Sequence, residues 1–106
     1  MAGLAGKLQS TDLTLTRSGH GEPVVLVHCL GADRRLWDGT VAALAGGFEL
    51  LRYDLPGHGT TATPHGSYAI ADLSLQLDAV LTHALVRRAT LVGLSIGGIL
   101  ALDFAA

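Results

Sequence analysis

The chain has 106 residues, 49% hydrophobic and 15% charged, which excludes a disordered chain and fits one domain or a piece of one. A net charge of −2 leaves no basic footprint for nucleic acid or an anionic membrane surface. The single cysteine, Cys29, rules out an internal disulfide, and no stretch reaches the roughly 18 apolar residues of a spanning helix.

Residues 1–10 read as a loose N-terminal arm. They are too short in apolar content for a signal-peptide core, and nothing in them points outside the cytoplasm. Residues 11–106 read as the N-terminal portion of an incomplete domain. Asp12-Leu13-Thr14-Leu15-Thr16 alternates polar and apolar, as a half-buried edge strand does. Ser18–Pro23 is a turn cluster, with His20 as a solvated loop residue.

Val24-Val25-Leu26-Val27 is apolar on both faces, the pattern of a central strand in a parallel sheet. It runs into His28-Cys29-Leu30-Gly31. A helix is predicted from Arg34 to Ala45, with Trp37, Val41 and Leu44 on one face, Asp33 as N-cap and Gly46-Gly47 as the stop. Phe48–Tyr53 is the next strand, and Asp54-Leu55-Pro56-Gly57-His58-Gly59 the turn after it. Thr60–Ser67 is a polar loop. Tyr68–Leu85 is a long helix whose apolar face carries Ile70, Leu73, Leu77, Val80, Leu81 and Ala84; Asp72, Gln76, Ala79 and His83 fall on the other side. Arg87-Arg88 lies near its C-terminal end, where cations complement the dipole. Strands alternating with helices predict an α/β fold, a mostly parallel sheet with flanking helices and right-handed crossovers.

The chain is organised around Gly93-Leu94-Ser95-Ile96-Gly97-Gly98. A short buried strand over Ala89–Val92 leads in, and Ile99–Leu102 leads out as a helix. A serine between glycines at minus two and plus two, on a strand–turn–helix, is the context of a nucleophile elbow. The serine takes a strained conformation that lifts its hydroxyl clear of the sheet. Gly93 and Gly97 remove the side chains that would collide there, and Gly98 lets the helix approach the sheet. The plainer reading of such a loop is that it binds a phosphate or nothing.

A serine attacking a carbonyl creates a negative oxygen, and two backbone amides fixed in advance are the usual supply of donors. One is expected from Ile96, the residue after the serine, and the other from the loop after an adjacent strand. His28–Gly31 stands there, with Leu30 as the donor and Cys29 as the fallback. His28 precedes the serine, so a loop-shaping role is expected of it rather than that of the base. Cys29 is expected to pack beneath the loop, and Asp54 to brace its own turn.

These residues carry a family likeness. The blocks Val24–Gly31, Leu50–Gly59, Tyr68–Leu85 and Ala89–Leu102 resemble the N-terminal part of an α/β-hydrolase. Within that superfamily, HCLGADRRLWD, LLRYDLPGHGTT, YAIADLSLQLDAVL and LVGLSIGGILAL are most similar to 3-oxoadipate enol-lactonases. The likeness implies a cytoplasmic, cofactor-free hydrolase of a small ester or lactone, a 3-oxoadipate enol-lactone foremost, in aromatic-acid catabolism; composition and the scattered histidines point to no metal site and to neither nucleic acid nor membrane as partner. Ser95 matches the nucleophile, Ile96 and Leu30 the oxyanion positions, and Asp54, Gly57 and Gly59 a structural turn motif. Cys29 departs from the glycine that many members carry. The family's acid, base and cap follow later strands, so these 106 residues are expected to be an inactive piece of a longer chain. The alternatives are a non-catalytic binding module of the same fold and the remnant of a truncated gene.

Overall fold

A strand with no polar face must be covered on both sides, and Val24–Val27 is buried along its whole length. In the computed structural model, which describes residues 15–61 and 69–106, it forms the end of β2 (Glu22–Val27). β2 lies between β3 (Phe48–Tyr53) and β4 (Thr90–Gly93), parallel to both. β1 (Leu15–Gly19) pairs antiparallel with β3, giving the order β1-β3-β2-β4. The mostly parallel sheet expected from the strand–helix alternation is therefore present, with one antiparallel edge.

Alternation along the strands divides the core into two. Val25, Val27, Leu51 and Tyr53 face α2 (Ile70–His83) and α3 (Ile96–Ala105), which contribute Leu73, Leu77, Val80 and Leu100. Val24, Leu26 and Leu50 face the opposite way and are covered by Trp37, Val41 and Ala45. Those three come from a 3₁₀ turn, Arg34–Trp37, the helix α1 (Asp38–Leu44) and the residue that follows it. Helices on both faces of a mostly parallel sheet define the α/β class.

Several expectations need correction. The helix predicted over 34–45 is split. Asp33 caps it as foreseen, accepting from the Arg35 amide at 2.9 Å, but the first turn is 3₁₀. Leu44 is 40% exposed, and Ala45 takes its place against the sheet. Ser18 and Gly19 belong to β1 rather than to a turn, because β3 extends the ladder to Ser18↔Leu50 and Gly19↔Glu49. β4 spans Thr90–Gly93 and is only partly buried, since β2 is its one strand partner among the described residues. α3 begins at Ile96, earlier than Ile99. The arm at 1–10, the start of the first predicted strand (12–14), residues 62–67 of the polar loop and Tyr68 lie outside the described residues.

Gln76 is the most informative miss. It is 1% exposed, and its Nε2 donates to the Asp54 carbonyl at 3.2 Å. Positions 73, 76, 77 and 80 form one helical stripe, so Gln76 lies on the buried face by geometry although its side chain is polar.

α2 ends in a left-handed cap. The Leu85 amide donates to the Thr82 carbonyl at 3.1 Å and the Val86 amide to the Leu81 carbonyl at 2.9 Å, with Leu85 at φ 59. Arg17 of β1 donates to the Ala84 carbonyl at 2.8 Å, supplying the cation at this helix end. A leucine in that conformation carries a steric cost of about 1–2 kcal/mol, and its side chain is 89% exposed. Leu85→Gly is therefore expected to stabilise the fold by about 0.5–1 kcal/mol, after allowing for the entropy that glycine loses on folding. A higher denaturant midpoint is the check; a lower one would mean that the leucine packs in solution.

Candidate active site

The register places two strand ends side by side. Val27 pairs with Gly93 at the C-terminal ends of β2 and β4, and the Leu94 amide extends the ladder by donating to the Val27 carbonyl at 3.2 Å. Leu30 and Ile96 thus each stand three residues beyond a paired position. Ser95 follows at φ 57, ψ −116, a conformation that costs a non-glycine residue about 1–3 kcal/mol. Its side chain is exposed, does not cap α3, and makes no hydrogen bond with a described residue. An open groove beside it is lined by Leu91, Gly93, Ile99 and Leu102.

Two glycines permit this bend. A Cβ on Gly93 would lie 2.2 Å from the Gly97 carbonyl, and one on Gly97 would lie 2.3 Å from the Val27 oxygen. Gly97 therefore carries the approach of helix to sheet that the sequence suggested for Gly98. A Cβ on Gly98 would meet nothing nearer than the Gly93 oxygen at 3.3 Å.

The amides of Gly97, Gly98 and Ile99 bond to Leu94 and Ser95 carbonyls. The amides of Ile96 and Leu30 donate to no protein acceptor among the described residues. A first-turn amide is one of the unpaired donors of any helix. The Leu30 amide is free for a different reason. Its peptide partner, the Cys29 carbonyl, accepts from the Ala32 amide at 3.2 Å and from His28 Nδ1 at 2.8 Å. That leaves the N–H edge pointing the other way.

His28 is fully buried, and its Nε2 accepts from the Leu55 amide at 2.9 Å. Only the neutral ring with Nδ1 protonated satisfies both bonds. This is the loop-shaping role expected of it. His58 does similar work from the other side: its Nε2 accepts from the Gly31 amide at 3.1 Å, and its Nδ1 donates to the Pro56 carbonyl at 2.9 Å. Nothing in the sequence pattern marked that contact.

Asp54 anchors the turn below. It is fully buried and accepts from the Arg34 amide (2.8 Å), the Arg34 guanidinium (2.5 Å) and the Thr60 amide (3.1 Å). Its carbonyl takes Thr61 Oγ1 at 2.9 Å as well as Gln76. A Cβ on Gly59 would strike its carboxylate at 2.3 Å. Asp54 thus braces this turn and the start of the Arg34 turn together.

Residues 24–106 match the alpha/beta hydrolase family. The chain belongs to that family. It is 40% identical over 88 residues to a pimeloyl-[acyl-carrier protein] methyl ester esterase of Vibrio cholerae, covering 83% of this chain and 32% of that protein. It is 29% identical over 96 residues to 3-oxoadipate enol-lactonase 2 of Acinetobacter baylyi, covering 87% and 36%. The enol-lactonase structure from Burkholderia xenovorans LB400 superimposes with a TM-score of 0.84 at 34% identity, covering 88% of this chain and 37% of that one. The chain spans only 23% to 36% of the length of the curated relatives it matches.

In this alpha/beta hydrolase chain the described residues include no cluster of three or more metal-ligating side chains, and no helix among them is long and apolar enough to cross a membrane. Two buried groups tie its stability to pH. Burial pushes His28 below its ordinary 6.5, outweighing the bond to the Cys29 carbonyl. Burial works to raise Asp54, but the Arg34 and Thr60 amides and the guanidinium hold it below its ordinary 3.8. In each case the unfolded chain takes up the proton first as pH falls, so acid favours unfolding. Stability is expected to be greatest above pH 6.5, to decline below it as unfolded His28 charges, and to decline again below about pH 4. Denaturant midpoints against pH measure this. His28→Gln should flatten the upper step, and Asp54→Asn should reduce the lower one, to which Asp33, held below its ordinary value by Arg35, also contributes. The glycines give a second test. Gly97→Ala should destabilise by about 2–4 kcal/mol, since backbone must move. Gly98→Ala should stay within about 0.5 kcal/mol of the parent, because the gain in helix propensity offsets a mild contact.

Proposed function

We propose that this chain carries the nucleophile and oxyanion donors of a serine hydrolase acting on a small ester or lactone in the cytoplasm. One observation carries the reading: Ser95 stands strained and exposed at the head of α3, and the amides of Ile96 and Leu30, each three residues beyond the paired ends of β4 and β2, have no protein acceptor among the described residues. Attack by Ser95 Oγ on the substrate carbonyl would place the developing negative oxygen against donors already in position. Such donors are worth most where they need not reorganise as charge appears. Gly93 and Gly97 serve this arrangement by making room for the bend.

A serine hydroxyl needs a base. The rings of His28 and His58 are both committed to backbone partners, which disfavours either as that base. In this reading the base and its acid belong to the part of a longer molecule that these residues do not include, which agrees with relatives of which this chain matches only 32% to 36%. Among substrates, an enol-lactone of the 3-oxoadipate type is favoured by the likeness to two enol-lactonases. The carboxylic methyl ester named for the Vibrio relative is the competitor.

The test uses the intact protein. A fluorophosphonate probe should label Ser95, and Ser95→Ala should abolish labelling and lower ester turnover by at least about 10³-fold. Retention of activity in Ser95→Ala, or failure of the folded parent to label, would replace this reading with that of a binding module. Rates on an enol-lactone against those on methyl and aryl esters would choose the substrate.

A further inference from the structure

His58 has no chemical part in the mechanism above, yet it is wired to the loop that carries one of the proposed donors. We infer that His58 is a positioning residue for the step at Ser95, holding the Leu30–Gly31 peptide plane, and so its dipole, in a single orientation beside the Leu30 amide. The inference rests on the Ser95 reading.

Two consecutive peptide planes make up this loop. The first joins the Cys29 carbonyl to the Leu30 amide, and is held by His28 Nδ1 and the Ala32 amide on its carbonyl side. The second joins the Leu30 carbonyl to the Gly31 amide. Among described residues its one partner is His58 Nε2, at 3.1 Å from the Gly31 nitrogen. The turn that contains both is of type II: the Ala32 amide bonds to the Cys29 carbonyl, Gly31 has φ 82, and Leu30 is not among the positive-φ residues. A type I turn differs from it chiefly by a half-rotation of that second plane. Glycine at the third position is free to adopt either turn, and a Cβ on Gly31 would find no atom within 4 Å.

The imidazole makes the choice. His58 Nδ1 donates to the Pro56 carbonyl at 2.9 Å, which leaves Nε2 as a lone pair. That lone pair attracts the Gly31 N–H. A flipped plane would turn the Leu30 carbonyl toward it, acceptor against acceptor. The ring is itself delivered by a tight turn, in which the His58 amide bonds to the Leu55 carbonyl at 2.9 Å and Gly57 has φ 73. It also packs 5.2 Å from the His28 ring. The chain Leu55–His58 thus reads out the position of β3 and transmits it to the loop after β2. A flip would reverse one peptide dipole beside the Leu30 amide and leave the loop in two states, only one of them aligned for charge on the substrate oxygen.

The experiment measures kcat and KM on p-nitrophenyl butyrate with the intact protein. His58→Phe keeps a ring but removes the acceptor, and is expected to lower kcat by about 10- to 100-fold, short of the roughly 10²–10³ that loss of a whole oxyanion donor costs. KM should stay within about two-fold, because the interaction matters only once charge develops. His58→Gln, which restores an acceptor oxygen, should recover part of the loss. Gly31→Ala meets no atom but disfavours the type II turn, and should lower kcat to a similar extent; the double variant with His58→Phe should be no worse than either alone. Should His58→Phe fail to fold, Gly31→Ala together with the Gly31 amide NMR shift in His58→Gln carries the test. Unchanged kcat in His58→Phe and Gly31→Ala, or additive losses in the double variant, overturns the inference. Turnover that survives Ser95→Ala overturns the Ser95 reading and this one with it; turnover lost there but untouched in His58→Phe overturns this one alone.

Discussion

The bend at residues 93–97 depends on backbone meeting backbone. α3 begins so close to the sheet that the Gly97 α-carbon faces the Val27 oxygen with no room for a methyl group, and Gly93 lies equally near the Gly97 carbonyl. Any side chain at either position would push the helix outward. The helix head would then leave the end of β2, and the unpaired amides of Ile96 and Leu30 would be drawn apart. The strained φ of Ser95 follows from the same constraint, since the chain must reverse within one residue to enter a helix lying on its own strand.

The rest of the molecule holds β2 and β3 where this contact needs them. Val25, Val27, Leu51 and Tyr53 anchor one face of the sheet to α2 and α3. Beyond the strand ends, packing gives way to polar bonds. Asp54 gathers Arg34 and Thr60, while Gln76 and Thr61 Oγ1 donate to its carbonyl. Two neutral imidazoles bridge the loops after β2 and β3. A buried carboxylate is tolerated there because amides and a guanidinium surround it. Such a network is specific where an apolar contact would not be, because each donor accepts only one arrangement of the loop.

What could be read in the sequence was whatever depends on local pattern. The unbroken Val24–Val27 run announced a strand buried on both faces, the alternation of strands and helices announced the sheet, and Gly-x-Ser-x-Gly between a strand and a helix announced the bend. The same motif assigned the donor positions to Ile96 and Leu30, and local pattern put Asp33 at a helix start. These signals survive in one dimension because periodicity, capping and glycine's lack of a Cβ act within a few residues.

Tertiary structure alone decided which distant residue each polar group would meet. Gln76 was assigned to the solvent side by its chemistry, although its helical position faces inward and the Asp54 carbonyl was waiting there. Ala45, one turn beyond Val41, takes the place against the sheet that the pattern gave to Leu44. Gly97 rather than Gly98 bears the close approach because the obstacle is the neighbouring strand β2, a partner 70 residues earlier in the chain. His58 reaches Gly31 across 27 residues. A hydrogen bond between loops leaves no periodic trace in either, so only the packed sheet, by fixing where the strands end, determines which loops meet.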